Sequence, residues 1–126
     1  MTQEDKELLL RDLYARLPYG VKFKGEYDED LQEIHYIKDE GIYTRTYPHL
    51  PYWIETIKPY LRPMSSMTDE ERKDFYHNRI QYDGDMFASE SGDIDWLNAH
   101  HFDYRGLIEK GLAIAVTEEN NPYKEK

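Results

Sequence analysis

The chain has 126 residues, 26 acidic and 16 basic, for a formal net charge of −10, and it contains no cysteine. That length makes one ordinary domain, large enough to bury a core unaided, and the missing thiols exclude disulfide frameworks, thiolate zinc sites and cysteine nucleophiles. An acidic surface repels a phosphate backbone, so nucleic-acid binding is not expected; the acids are scattered among lysines and arginines, which reads as a solvated surface rather than a DNA mimic.

The polar opening Thr2-Gln3-Glu4-Asp5-Lys6 lacks the basic region of a secretory signal. No apolar run approaches the length of a membrane span, so a cytoplasmic protein without membrane association is expected. Residues 3–16 read as a helix. Thr2 is its N-cap, Glu4 and Asp5 suit the positive end of its dipole, and Leu9, Leu10, Leu13, Tyr14 and Leu17 form the apolar stripe. Pro18 and Gly20 end it.

From Val21 to Asp28 the apolar and charged residues alternate, which predicts a half-buried strand, and Asp28-Glu29-Asp30 predicts a turn. A second strand is expected over about 31–38, a hairpin at Asp39-Glu40-Gly41, a third strand from Ile42 to Tyr47, and a short fourth from Tyr52 to Ile57. Pro59 and Pro63 are expected to confine Lys58 to Arg62 to a turn or a single helical turn. Sequential strands with short connections suggest an antiparallel meander.

Thr68-Asp69-Glu70-Glu71 fits the capping box, predicting a helix over about 69–80. Tyr82 to Gly92 reads as a loop, Asp93 as the N-cap of a helix over 94–101, and Leu112 to Val116 as a last strand or an extended tail. The whole chain, 1–126, then reads as one α+β domain: a small antiparallel meander of three to five strands packed with about three helices, and a polar, frayed terminus over 118–126.

The 12 tyrosines are the compositional oddity. Tyrosine suits surfaces with one apolar and one wet side, which describes both a half-buried sheet and a recognition face. Tyr43, Arg45, Tyr47 and the nearby Trp53 are the candidate binding residues, with Arg45 flanked by aromatic rings on a strand face; surface packing is the competing explanation. Arg62 and Arg105 join Arg45 as candidates for contact with a phosphate, since arginine forks match its oxygens.

His100, His101 and Asp103 are the candidates for metal or acid–base chemistry. Adjacent helical residues point about 100° apart, so the two histidines cannot face one metal from a regular helix, and packing beside Trp96 and Tyr104 explains them as well. Asp83-Gly84-Asp85 and Asp93-Ile94-Asp95 lack the rest of a calcium loop. Ser65-Ser66 lacks a nucleophile elbow or a phosphate cradle. No catalytic residue, metal or cofactor is therefore assigned.

Two segments carry a resemblance. They are Ile57-Lys58-Pro59-Tyr60-Leu61-Arg62-Pro63-Met64-Ser65-Ser66-Met67-Thr68 and Asp95-Trp96-Leu97-Asn98-Ala99-His100-His101-Phe102-Asp103-Tyr104-Arg105-Gly106-Leu107-Ile108. Together with Glu4 to Leu10 and Ala15 to Lys22, they resemble a family of short uncharacterised proteins encoded by Bacteroides-type gut bacteria and by their phages and mobile elements. The resemblance covers about half of the chain and is least over 24–56 and around Tyr82 to Gly92. It brings no activity with it. It implies an accessory protein that binds a host protein; apart from the resemblance, sequestration of a small anionic ligand, a nucleotide signal, is the alternative, and a His/Asp-dependent enzyme a further one.

Overall fold

The computed structural model describes the backbone of residues 1–25, 31–81 and 86–123. The first helix, α1 (Gln3–Arg16), opens on a reciprocal cap: Thr2 Oγ1 accepts the Asp5 N–H at 3.1 Å, and the Asp5 carboxylate accepts the Thr2 N–H. Its buried face differs from the expected stripe. Leu9 and Leu13 are fully buried, but they share that face with Asp12 and Arg16, while Tyr14 is half exposed. The spacing is still helical; a charged pair that neutralises itself has taken two of the inward positions.

Among the described residues, seven short strands form two sheets. The first sheet has the order β2-β1-β6-β7, from β1 (Lys22–Gly25), β2 (Leu31–Glu33), β6 (Ile57–Leu61) and β7 (Ile114–Ala115). The second is β3 (Tyr36–Lys38), β4 (Gly41–Tyr43) and β5 (Tyr52–Trp53), the expected antiparallel meander. In the first sheet only the β6–β7 pair is parallel. With α1, α2 (Asp69–Gln81) and α3 (Met86–Ala99), the chain is a small α+β fold.

Four strand expectations change. The fourth strand predicted from Tyr52 to Ile57 breaks after Trp53: Ile54–Thr56 forms a single 3-10 turn with Ile54 buried, and Ile57 opens the next strand, β6. The single strand predicted over 31–38 divides between the sheets, because the Ile34 N–H donates to Val21 O while the next N–H, of His35, donates to Tyr43 O. The strand predicted from Ile42 to Tyr47 stops at Tyr43: Thr44 turns inward, almost fully buried, and its hydroxyl accepts the Tyr47 N–H at 3.0 Å. Lys58 to Leu61, expected in a turn, lies in β6 at the middle of the first sheet. Proline is tolerated in a paired strand where its missing N–H faces no ladder. On one flank of β6 the β7 ladder begins only at Tyr60, one residue beyond Pro59.

The helical half also departs from expectation. The capping box at Thr68 is present, with Glu71 N–H to Thr68 Oγ1 at 3.1 Å and Thr68 N–H to Glu71 Oε1 at 3.0 Å. Beyond it, α3 begins at Met86, so most of the predicted loop is helical and Asp93 lies inside the helix rather than capping it. A lone glycine costs a helix only about 1 kcal/mol, which packing outweighs; here Trp96 stacks on Phe102 at 5.8 Å and meets Phe75 at 5.1 Å. The remainder of that loop, 82–85, and the turn at 28–30 lie outside the described residues. No helix among the described residues is long and apolar enough to cross a membrane.

Two buried clusters hold the elements together. The larger joins Leu9 and Leu13 of α1 to Phe23, Ile42 and Leu61 of both sheets and to Leu107. The smaller gathers Trp96, Leu97 and Phe102. The C-terminal segment crosses back over the first sheet, where the Tyr123 hydroxyl donates to Tyr60 O at 2.7 Å and accepts the Lys22 N–H at 2.9 Å. The Lys22 ammonium also donates to Pro122 O at 3.0 Å, so part of the segment expected to fray over 118–126 contacts the first sheet.

Candidate interaction face

The three-stranded sheet begins as a tight hairpin. Asp39, at φ 56°, and Glu40 form its turn, and the register sets Tyr36 opposite Tyr43. Cross-strand neighbours on one face touch directly, and these two rings stack at 4.4 Å with their planes 4° apart. The Tyr36 hydroxyl then donates to Pro48 O at 2.9 Å, pinning the loop between β4 and β5 back onto the hairpin.

Gly41 permits the close approach of that loop. A Cβ at this position would lie 2.9 Å from Pro51 Cβ, a separation that carbon atoms do not tolerate. Tyr52 follows Pro51, half buried, with its ring edge-on to Phe23 at 5.0 Å and to Tyr47 at 6.1 Å. The loop therefore leaves large side chains outward on a fixed frame. Leu50 is 69% exposed, Trp53 58% and Tyr47 39%. A shallow depression of about 280 Å³ lies among Tyr47, Leu50, Pro51 and Tyr52. Arg45 is exposed in the same loop and has no ion-pair partner among the described residues.

Of the sequence-predicted binding residues, Tyr43, Arg45, Tyr47 and Trp53 thus share one sheet and its loop. Arg45, expected on a strand face between Tyr43 and Tyr47, lies instead in an exposed bend beyond the end of β4. Arg62 and Arg105 are committed elsewhere. Both terminal nitrogens of Arg62 donate to the Glu71 carboxylate at 2.6 Å, and its guanidinium covers the Phe102 ring at 4.2 Å. The Arg62 bonds, reinforced by the Thr68 N–H, outweigh partial burial and hold the Glu71 carboxyl down at about 2. Arg105 lies 3.6 Å from Asp12 and over the Tyr104 ring.

The histidines turn to different partners. His100 stacks on Trp96 at 3.9 Å and donates from Nδ1 to Trp96 O at 2.9 Å. His101, in left-handed backbone at φ 63°, stacks on Tyr123 at 3.6 Å. Asp103 uses both carboxylate oxygens to accept the Leu107 and Ile108 N–H groups, so it shapes a turn. Among the described residues, no group of three or more His, Asp or Glu side chains is arranged to hold a metal ion.

Sequence reasoning missed a buried ionic cluster. Arg16, fully buried, donates from Nε to Asp12 Oδ2 at 2.7 Å and from Nη2 to Phe102 O at 2.6 Å, and packs over Tyr104. The i, i+4 spacing of Asp12 and Arg16 was visible; that the pair faces inward was not. Neither a family model, nor a curated protein, nor a solved structure matches this chain.

Proposed function

We propose that this chain is a non-enzymatic binding module that captures a host protein through the loop and outer face of its three-stranded sheet. The observation that carries this is the exposure of Tyr47 and Leu50 on a loop held by the Tyr36–Pro48 hydrogen bond and the Gly41–Pro51 contact, with the exposed Trp53 on the adjoining β5. Interfaces draw most of their energy from a few aromatic and arginine anchors, and anchors already fixed in place lose little entropy on binding. Arg45 stands beside these anchors with its charge unspent. The net charge of −10 favours a partner with a basic surface, chiefly by speeding encounter. The resemblance to accessory proteins of Bacteroides-type bacteria and their phages supports a host component as that partner.

Capture of a small anion by Arg45, Arg62 and Arg105 together is less favoured, because Arg62 and Arg105 already face Glu71 and Asp12. The test is affinity capture from a bacterial lysate with the full chain and with an Arg45→Ala, Leu50→Ser, Trp53→Ala variant. All three side chains are exposed, so the variant should unfold at the same temperature as the parent. A basic protein retained in salt-sensitive fashion by the parent and lost by the variant is the expected result. Equal retention by both would remove the proposal.

A further inference from the structure

We propose that the cleft flanked by Lys24 and Lys58 binds a small organic phosphate monoester, independently of the aromatic face. The two lysines are direct partners in the β1–β6 register, so they project from the same face of the sheet. Directly opposed residues have Cβ atoms about 5 Å apart, and like charges so placed repel. Both lysines are exposed, and neither has an ion-pair partner among the described residues. A chain with ten more acids than bases has thus set two lysines face to face at the centre of a sheet, with no ion-pairing carboxylate on either among the described residues.

The space they border is of ligand size. A cleft of about 430 Å³ is lined by Lys24 and Lys58 together with Ile57, Leu112 and Ile114, within the roughly 300–1,000 Å³ usual for small-molecule sites. Glu55 also lines it, but its carboxylate is engaged by Lys6. The exposed Met1 side chain and the half-buried Ile114, which also line the cleft, put apolar surface beside the two ammonium groups, and this suits a molecule with an apolar body and a compact double charge. A phosphate monoester is close to a dianion at neutral pH, and lysine binds phosphate well as a point charge. A monocarboxylate would neutralise only one of the two ammonium groups.

The experiment uses the full chain at fixed ionic strength, with phenyl phosphate, inorganic phosphate and benzoate as probes. Phenyl phosphate should raise the melting temperature saturably and shift the amide resonances of Lys24, Lys58 and Leu112. Inorganic phosphate should act more weakly, lacking the apolar body, and benzoate least. The Lys24→Gln, Lys58→Gln variant should lose the response, and without any probe it should melt no lower than the parent because a repulsion has been removed. Lys38→Gln with Lys73→Gln, which removes the same charge elsewhere, should keep the response. Flat titrations, an equal effect of benzoate, resonance shifts confined to other residues, or a response surviving in the Lys24, Lys58 variant would each overturn the assignment. The resonance mapping on the parent decides the matter even if the variant folds poorly.

Discussion

At the scale of single residues, the most consequential side chains are charged or titratable groups packed inside. Arg16 is fully buried with Asp12 as its ion-pair partner, so removing Asp12 strands a buried guanidinium, and removing Arg16 leaves the buried Asp12 carboxylate with the Arg105 guanidinium 3.6 Å away in place of its 2.7 Å partner. Breaking such a pair costs about 3–5 kcal/mol, whereas replacing both members with apolar groups is often neutral. Arg16→Met is therefore expected to lower the urea unfolding free energy by that amount, and Asp12→Leu combined with Arg16→Met to recover most of the loss. His101 gives a pH signature. Burial, with Arg16, His100, Arg62 and Lys22 adding repulsion, pushes it down from 6.5 to about 4. The unfolded chain then binds the proton more readily than the folded one. The contribution is complete above pH 6.5 and is lost as the pH falls from 6.5 to 4. His101→Phe keeps a ring against Tyr123 but cannot titrate. The difference in unfolding free energy between parent and variant should therefore change across that window and stay level above it.

At the scale of elements, α2 shows a helix that depends on its start. Its sequence is highly charged, and its first turn carries Asp69, Glu70 and Glu71. Glu71 does double work there: it completes the capping box with Thr68 and receives the Arg62 fork. Losing a threonine N-cap costs about 1 kcal/mol. Thr68→Ala should lower stability by about that much, while Glu71→Ala, which also leaves Arg62 without its carboxylate, should cost more; chemical denaturation of the two variants gives the comparison. The hairpin elements were legible in the sequence for a similar reason. Asp39-Glu40-Gly41 and Thr68-x-x-Glu71 are closed by residues within three or four positions of each other, so the chain carries the whole signal locally.

At the scale of the whole molecule, the C-terminal segment packs on the first sheet. Tyr123 bonds the backbone of Lys22, 101 residues earlier, and of Tyr60, 63 residues earlier. Its phenol is strongly buried, and burial raises its pKa well above the tyrosine range. Tyr123→Phe leaves the Lys22 N–H and the Tyr60 carbonyl without that partner, and an unsatisfied buried group costs about 1–3 kcal/mol. The variant should show that loss in equilibrium unfolding, together with faster hydrogen exchange at the Lys22 amide. Protection at Lys22 equal to that of the parent would refute the latch. Most of the candidate interaction face could be named from the sequence, because tyrosines and a tryptophan crowd into residues 36–53. Its shape could not: the close approach of Pro51 to Gly41 and the inward turn of Thr44 depend on neighbours in space.

Sequence alone determined the α+β class, the capped helix starts at Thr2 and Thr68, the Asp39-Glu40 hairpin and the aromatic character of residues 36–53, because each rests on composition or on contacts a few positions apart. Tertiary structure decided that Ile34 and His35 serve different sheets, that Pro59 lies in a central strand and that Asp12 and Arg16 face inward. It also decided that Arg62 is spent on Glu71 and that Lys24 opposes Lys58. These outcomes depend on which distant segments meet, and a hydrogen bond such as that from Arg16 to the carbonyl of Phe102, 86 residues away, leaves no periodic trace in the chain.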